Sequence, residues 1–151
     1  MSWQKFQKLP PELAALGEEL IERTSLVMLG ALRKDGSPRI SPVEALFTEG
    51  QLYLGMMWRS KKALGWLRDS RCTIHSATSG RNGSQGDFKV FGRAVEVNDL
   101  EERRLYCDAL YEKIDWKPEE PEFHLFSIDV DSAALIEFKD EKTTHRAWKV
   151  D

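Results

Sequence analysis

The spacing of apolar positions changes its period several times along the chain. Over residues 10–23, which open with two prolines, apolar residues recur at helical spacing. They are Leu13, Leu16, Leu20 and Ile21. This spacing predicts a helix that packs as a lid on the rest of the chain. Helical spacing returns over residues 60–69, with Ser60 as N-cap, and over residues 99–114, with Asn98 as N-cap.

Most of the other apolar segments have the length and composition of strands. They are residues 25–32, 39–47, 52–57, 71–76, 88–97, 123–130, 133–138 and 146–150. The dipeptide Asp35-Gly36 between the first two segments is a strong hairpin signal. The first three segments therefore predict an antiparallel meander. The glycine-rich residues 78–86 predict a flexible loop.

This order of elements predicts a mainly β protein. Strands and helices do not alternate, which disfavours a parallel nucleotide-binding sheet, and the sequence has neither a GxGxxG motif nor a P-loop motif. Many short antiparallel strands favour a closed or partly closed barrel, because closure removes exposed strand edges. The length of 151 residues indicates one domain over residues 1–151, in which residues 1–23 are an N-terminal helical extension.

Charge and cysteine content exclude several classes of function. The formal net charge of -3 shows no basic excess, so we expect no nucleic-acid partner. No apolar run approaches the ~20 residues that span a bilayer, so we expect no membrane partner. Cys72 and Cys107 form no CxxC pair, which indicates free thiols in a reducing cytoplasm. The three histidines lack metal-ligand spacing, so we expect no metal site.

One segment stands out chemically, at the start of the second predicted helix. Arg59, Ser60, Lys61 and Lys62 place three cations and a hydroxyl in four residues. Cations are unfavourable at a helix N-terminus, which already carries partial positive charge. A bound phosphate would accept hydrogen bonds from the free backbone N–H groups and from these side chains. The alternative is a solvated turn before a surface helix, and the departure from the dipole preference favours the anion site.

Residues near this segment are suited to an aromatic ligand. Trp58 can stack on a planar ring, or it can be a core residue at the rim of the barrel. Arg39, Ser41 and Pro42 lie on the strand that we expect beside it. Pro42 lacks a backbone donor, so it either presents backbone groups to a ring system or marks an edge strand.

The order and spacing of seven segments, taken together, are more specific than any one of them alone. They are residues 29–43, 50–55, 60–64, 67–69, 71–73, 88–94 and 123–130. Together they resemble the pyridoxamine 5′-phosphate oxidase-like FMN-binding split-barrel family over roughly residues 24–150, which is the extent of one domain. The resemblance implies a six-stranded antiparallel split β-barrel, Greek-key-like, with short flanking helices. It also implies a homodimer with two flavin sites at its interface.

The resemblance assigns site residues by position. Arg59, Ser60, Lys61 and Lys62 match the family's phosphate-binding turn; Arg39, Ser41, Pro42 and Val43 match the strand along the flavin ring; Met57 and Trp58 match positions beside the ribityl chain and ring. Trp148 matches a C-terminal element that reaches the partner's flavin, or else it packs as part of a final strand in the dimer interface.

The function implied is an FMN-dependent oxidoreductase that acts on a small organic substrate. One alternative is a reductase of the same fold that uses the 8-hydroxy-5-deazaflavin coenzyme. Others are a non-catalytic flavin- or heme-binding protein, for which His145 is the candidate axial ligand, and a barrel without a ligand. The arginine-rich C-terminal elements of true pyridoxamine phosphate oxidases are absent, so vitamin B6 oxidation is not assigned. No residue is assigned as general acid or base.

Overall fold

The computed structural model describes residues 1–78 and 80–150. The helices in these ranges are α1 (Trp3–Lys8), α2 (Pro11–Glu22), α3 (Lys61–Arg68) and α4 (Leu100–Ile114). The strands are β1 (Leu26–Leu32), β2 (Pro38–Glu44), β3 (Leu46–Thr48), β4 (Gln51–Met57), β5 (Arg71–Ser76), β6 (Asp87–Glu96), β7 (Phe123–Lys139) and β8 (Lys142–Lys149). No helix within these ranges has the length and apolarity needed to cross a membrane.

The strands form one antiparallel sheet in the order β2-β1-β5-β6-β7-β4-β3, and β8 pairs with β7. The sheet curls so that β2 approaches β4 without pairing with it. Six strands, from β2 to β4 in this order, therefore enclose a barrel that is open along one seam. The predicted mainly β, antiparallel split barrel with short flanking helices is confirmed, and the short β3 and the C-terminal β8 add to the six expected strands.

Strand β7 differs most from the sequence prediction. Residues 123–130 and 133–138 were expected as two strands, which is wrong, because they form one strand of 17 residues. The polar pair Asp131-Ser132 lies at a shift in register opposite Phe91 and Gly92, where the ladder bulges but does not turn. A Cβ at Gly92 would collide with the backbone carbonyl of Asp129, so only glycine fits there.

Other boundaries differ in detail. The expected strand 39–47 divides at Ala45 into β2 and β3, and the Ala45 N–H donates to the Ser25 carbonyl instead of to a neighbouring strand. Asp99, not Asn98, is the N-cap of α4, because the Asp99 carboxylate accepts from the Glu102 N–H at 2.9 Å. The final strand begins at Lys142, since the two residues before it have φ of +50° and +60° and make a tight hairpin.

The Ser60 N-cap of α3 is confirmed by its hydroxyl, which accepts from the Ala63 N–H at 3.4 Å. The predicted loop 78–86 includes Ser79, which lies outside the described residues. Its other members belong to no helix or strand.

The N-terminal lid is larger than the sequence indicated. Helix α2 lies where it was expected, and α1 precedes it with only two apolar residues, Trp3 and Phe6, too few to show a helical period. Both side chains are buried in the main core, where Trp3 contacts Phe47 and Phe88. Gly17 of α2 lies directly on the Phe88 ring, so the lid approaches the barrel closely.

Two apolar clusters share β4 between them. Leu52, Leu54 and Met56 point into the barrel, whereas Tyr53 points to the opposite side, where a second cluster packs beneath α4. This second cluster contains Leu46, Tyr53, Val97, Tyr106, Cys107, Leu110, Phe123 and Leu125. Because side chains alternate along β4, the molecule has two apolar cores, one on each side of this strand.

Arg103 of α4 ties the second cluster to the rest of the chain. Its buried guanidinium donates to both carboxylate oxygens of Glu120 at 2.8 and 2.9 Å and to the carbonyls of Val97 and Phe123 at 3.1 and 3.0 Å. It also lies 4.1 Å from the centre of the Phe123 ring. One side chain thus fixes α4, the segment that follows it and the first residue of β7.

Gly17→Ala is expected to lower the free energy of unfolding by about 1–3 kcal/mol, because the added methyl group must displace the buried Phe88 ring. Helix propensity alone favours alanine over glycine by about 1 kcal/mol. Urea denaturation measures the change, with the exposed Glu19→Ala in the same helix as the control. A Gly17→Ala protein as stable as the unmodified chain would contradict this packing.

Candidate functional site

The turn between β4 and α3 brings the basic residues to one place. The Ser60 N–H donates to the Met57 carbonyl at 3.1 Å and closes the turn. Arg59 has φ of +54°, a left-handed conformation that costs a non-glycine residue roughly 1–2 kcal/mol. Arg59 and Lys61 are exposed, and the first turn of α3 contains no acidic residue. The turn therefore presents its positive charge to solvent, beside the helix N-terminus.

Lys62 differs from its neighbours because it is partly buried. Its ammonium lies 3.4 Å from the Pro42 carbonyl of β2, a neutral acceptor. Desolvation lowers the pKa of Lys62, and no carboxylate in the described part of the chain offsets this effect. A bound anion would supply the missing countercharge. The contact with Pro42 brings the basic turn against β2, although β2 and β4 do not pair, so the predicted three-stranded meander is wrong.

Strand β2 presents the other predicted residues alternately on two faces. Arg39, Ser41 and Val43 lie on one face and become more buried toward Val43, whereas Ile40 and Pro42 are exposed on the other. Among the described strands only β1 pairs with β2, so Pro42 does lie on an edge strand. Its carbonyl is engaged by Lys62, and the alternative that Pro42 presents backbone groups to a ring system stays a prediction.

Arg39 lies nearer the start of β2 and borders a cavity. This cavity, of about 470 Å³, is also lined by Arg71 of β5 and Arg93 of β6. The Arg71 guanidinium is already paired with Asp69 at 2.6 Å. Arg39 therefore belongs to an arginine-lined surface three residues away from the Pro42–Lys62 contact.

Trp58 covers a buried histidine at the rim of the barrel. Its ring stacks on His124 of β7 with centroids 4.6 Å apart and planes at 14°. Trp58 is 52% exposed, so half of the indole remains available to a ligand. His124 Nδ1 lies 3.7 Å from a Glu96 carboxylate oxygen, and Nε2 is buried with no hydrogen-bond partner in the described part of the chain. Trp58 is thus a rim residue that keeps an open surface.

Met57 and Trp58 also line a cavity on the α4 side of β4. It has a volume of about 430 Å³ and is bordered by Tyr106 of α4 and by Trp116 in the segment after α4. Tyr106, Trp116 and the buried His124 were not predicted as site residues. Their sequence spacing gave no signal, because α4 and β7 reach the end of β4 only through tertiary packing.

Trp148, the last of the predicted site residues, lies on β8. Its ring contacts Phe6 of α1 with centroids 5.1 Å apart, and it packs against the main core. Within a single chain it therefore anchors the lid, and its expected contact with a partner's flavin stays a prediction. Within residues 1–78 and 80–150, no group of three His, Cys, Asp or Glu side chains is arranged to hold a metal ion.

Solved structures share this fold at low sequence identity. A protein from Clostridium acetobutylicum related to general stress protein 26 of B. subtilis superposes with a TM-score of 0.66 at 14% identity, over 89% of this chain and 92% of that one. A heme binding protein from Mycobacterium smegmatis gives a TM-score of 0.68 at 15% identity, over 89% of this chain and 57% of that longer one.

A further structural neighbour is a protein from Bacteroides thetaiotaomicron, described as a candidate 5-nitroimidazole antibiotic resistance protein. It gives a TM-score of 0.64 at 18% identity, over 78% of this chain and 79% of that one. At these identities the likeness shows the fold alone. No curated protein sequence matches the chain.

The family model for pyridoxamine 5′-phosphate oxidase matches residues 14–137, from α2 through most of β7. The matched residues include the basic turn, the full length of β2 and the open barrel seam between β2 and β4. By fold and by sequence, this chain belongs to the pyridoxamine 5′-phosphate oxidase family.

Proposed function

We propose that this protein is a flavin-binding oxidoreductase that uses FMN and acts on a small organic substrate. The observation that carries the proposal is Lys62, a partly buried cation with no carboxylate partner within residues 1–78 and 80–150. It lies at the start of a helix whose first turn contains no acid. Such an arrangement is stabilised by an anion with several oxygens, and the FMN phosphate is one. Family membership supports the choice of a flavin over other phosphate ligands.

The residues around the turn have distinct roles in this proposal. Lys62 neutralises the phosphate while held against β2 by the Pro42 carbonyl, and exposed Arg59 and Lys61 add charge at the surface. The Ser60 hydroxyl keeps the start of α3 in place as its cap. The exposed half of Trp58 covers the ring or ribityl chain and excludes water. When bound, the flavin supplies the hydride or electron transfer.

The first test is a titration of purified protein with FMN and, separately, with the 8-hydroxy-5-deazaflavin coenzyme, followed by absorbance and fluorescence. We expect saturable FMN binding that weakens with added salt, because the phosphate contacts are electrostatic. Preference for the deazaflavin coenzyme would replace FMN in the proposal. Binding of neither would overturn it and direct attention to heme, which the structural neighbour from M. smegmatis binds by its description.

The second test removes the two lysines of the turn. Lys61→Ala together with Lys62→Ala is expected to weaken FMN binding by about 2–3 kcal/mol, roughly 30- to 150-fold, since charge-assisted hydrogen bonds are lost. The matched control is Lys5→Ala together with Lys8→Ala, which removes the same charge from exposed positions on α1. Equal FMN affinity of the two double variants would show that the phosphate does not bind at this turn.

We also propose that the protein is a homodimer. An outward-facing row crosses four neighbouring strands and consists of Ile40, Gly30, Thr73 and Phe91, paired in that order. Ile40 is 71% exposed, and Met28 and Phe91 extend the apolar surface on the same face. A second copy of the chain placed on this face would cover it and would bring the two β2 strands near each other.

Light scattering at micromolar concentration is expected to give twice the mass of one chain. Ile40→Lys together with Phe91→Lys should give a monomer, because two charges cannot be buried unpaired in the interface. The control places a charge on another face, with Leu100→Lys on α4, where the side chain is 77% exposed. A monomeric unmodified protein would contradict the proposed dimer.

A further inference from the structure

The cavity on the α4 side of β4 is separate from the basic turn although it borders Trp58. It lies between the end of β4, α4 and the segment that follows α4, and its volume of about 430 Å³ is in the range of small-molecule sites. Gly55 forms part of its floor, and a Cβ at this position would collide with the Tyr106 hydroxyl. The cavity therefore depends on a glycine in the middle of a strand.

The walls of this cavity are aromatic. Trp58 and Trp116 both line it and are 52% and 57% exposed, which is unusual for the largest apolar side chains. Phe123 and Tyr106 lie deeper and are buried. Exposed indole faces that line a cavity can bind a cation.

Tyr106 contributes an unused polar group to the same cavity. The residue is only 4% exposed, and its hydroxyl has no hydrogen-bond partner among the residues that the structure describes. Burial and the nearby Glu44 carboxylate raise the pKa of Tyr106, so the phenol keeps its proton at neutral pH. The hydroxyl at the cavity wall is therefore free to donate a hydrogen bond to a bound ligand.

The charge around the cavity is negative. Glu44, Glu119 and Glu122 line it, and no lysine or arginine does so among the residues that the structure describes. Within the described ranges these three carboxylates form no ion pair, whereas their neighbour Glu120 is engaged by Arg103. Unpaired carboxylates beside indole faces favour a cation and disfavour an anion.

We propose that this cavity binds an organic cation, namely a substituted ammonium group attached to an apolar or aromatic body. The ammonium group lies between the indole faces of Trp58 and Trp116 with Glu44 and Glu122 as countercharges, and the apolar body contacts Phe123 and Tyr106. Binding does not need a flavin. This cation is also the substrate in our proposal, because the cavity shares Met57 and Trp58 with the proposed flavin site. That second step rests on the proposed function.

Calorimetry with benzyltrimethylammonium as the probe tests the proposal, with benzyl alcohol and benzoate as neutral and anionic comparisons. We expect the cation to bind at least 10-fold more tightly than benzyl alcohol, and benzoate not to bind. The titration is done both without FMN and with saturating FMN. Failure of the cation to bind, or equal binding of the cation and benzyl alcohol, would overturn the proposal.

Two variants locate the cation. Glu44→Gln together with Glu122→Gln should weaken benzyltrimethylammonium binding at least 10-fold and leave benzyl alcohol binding unchanged, and Trp116→Ala should weaken both. The control, Glu112→Gln together with Glu141→Gln, removes the same charge at exposed positions outside the cavity. If the cavity variant binds the cation as tightly as the control, the cation is bound elsewhere.

The result is independent of the flavin proposal. Protein that binds FMN but not the cation refutes only the cation site. If the protein binds the cation but neither flavin, the cation site is supported, but the cavity is not a substrate pocket of a flavin enzyme.

Discussion

The pairing of β7 with three other strands is the constraint on which the rest of the structure depends. This strand of 17 residues pairs with β4 near its start, with β6 along most of its length and with β8 over its second half. Both candidate sites are positioned by its first two residues. His124 supports Trp58 at the rim of the barrel, whereas Phe123 points to the other side, into the cavity beneath α4. Arg103 fixes this end of the strand through the Phe123 carbonyl.

The two candidate sites carry opposite charges and lie on different sides of β4. At the barrel seam, Arg59, Lys61 and Lys62 surround a helix N-terminus that is itself partly positive. Beyond the strand end, Glu44, Glu119 and Glu122 surround aromatic walls. Met57 and Trp58 lie between the two sets of charges. An anionic ligand would therefore be repelled from the acidic cavity, and a cationic ligand would be repelled from the basic turn.

The sequence predicted those features that depend on local spacing. The strand segments, the Asp35-Gly36 hairpin and the Ser60 cap follow from neighbouring residues, and so does the clustering of charge at 59–62. The sequence did not predict that β7 is one continuous strand, because the bulge at Asp131-Ser132 has the same polar composition as a turn. The roles of Tyr106, Trp116 and His124 were also missed. Each becomes a site residue only through contacts with parts of the chain far from it in sequence, and a single sequence has no pattern for these contacts.

Three glycines lie against atoms that cannot easily move. Gly17 lies on the Phe88 ring, Gly55 on the Tyr106 hydroxyl and Gly92 on the Asp129 carbonyl. What the fold requires at these positions is the absence of a side chain, and no choice among the other nineteen residues satisfies that requirement. Chains of 14–18% identity still share this architecture. As homologous sequences diverge, we therefore expect glycines at these close contacts to be conserved longer than the apolar residues around them.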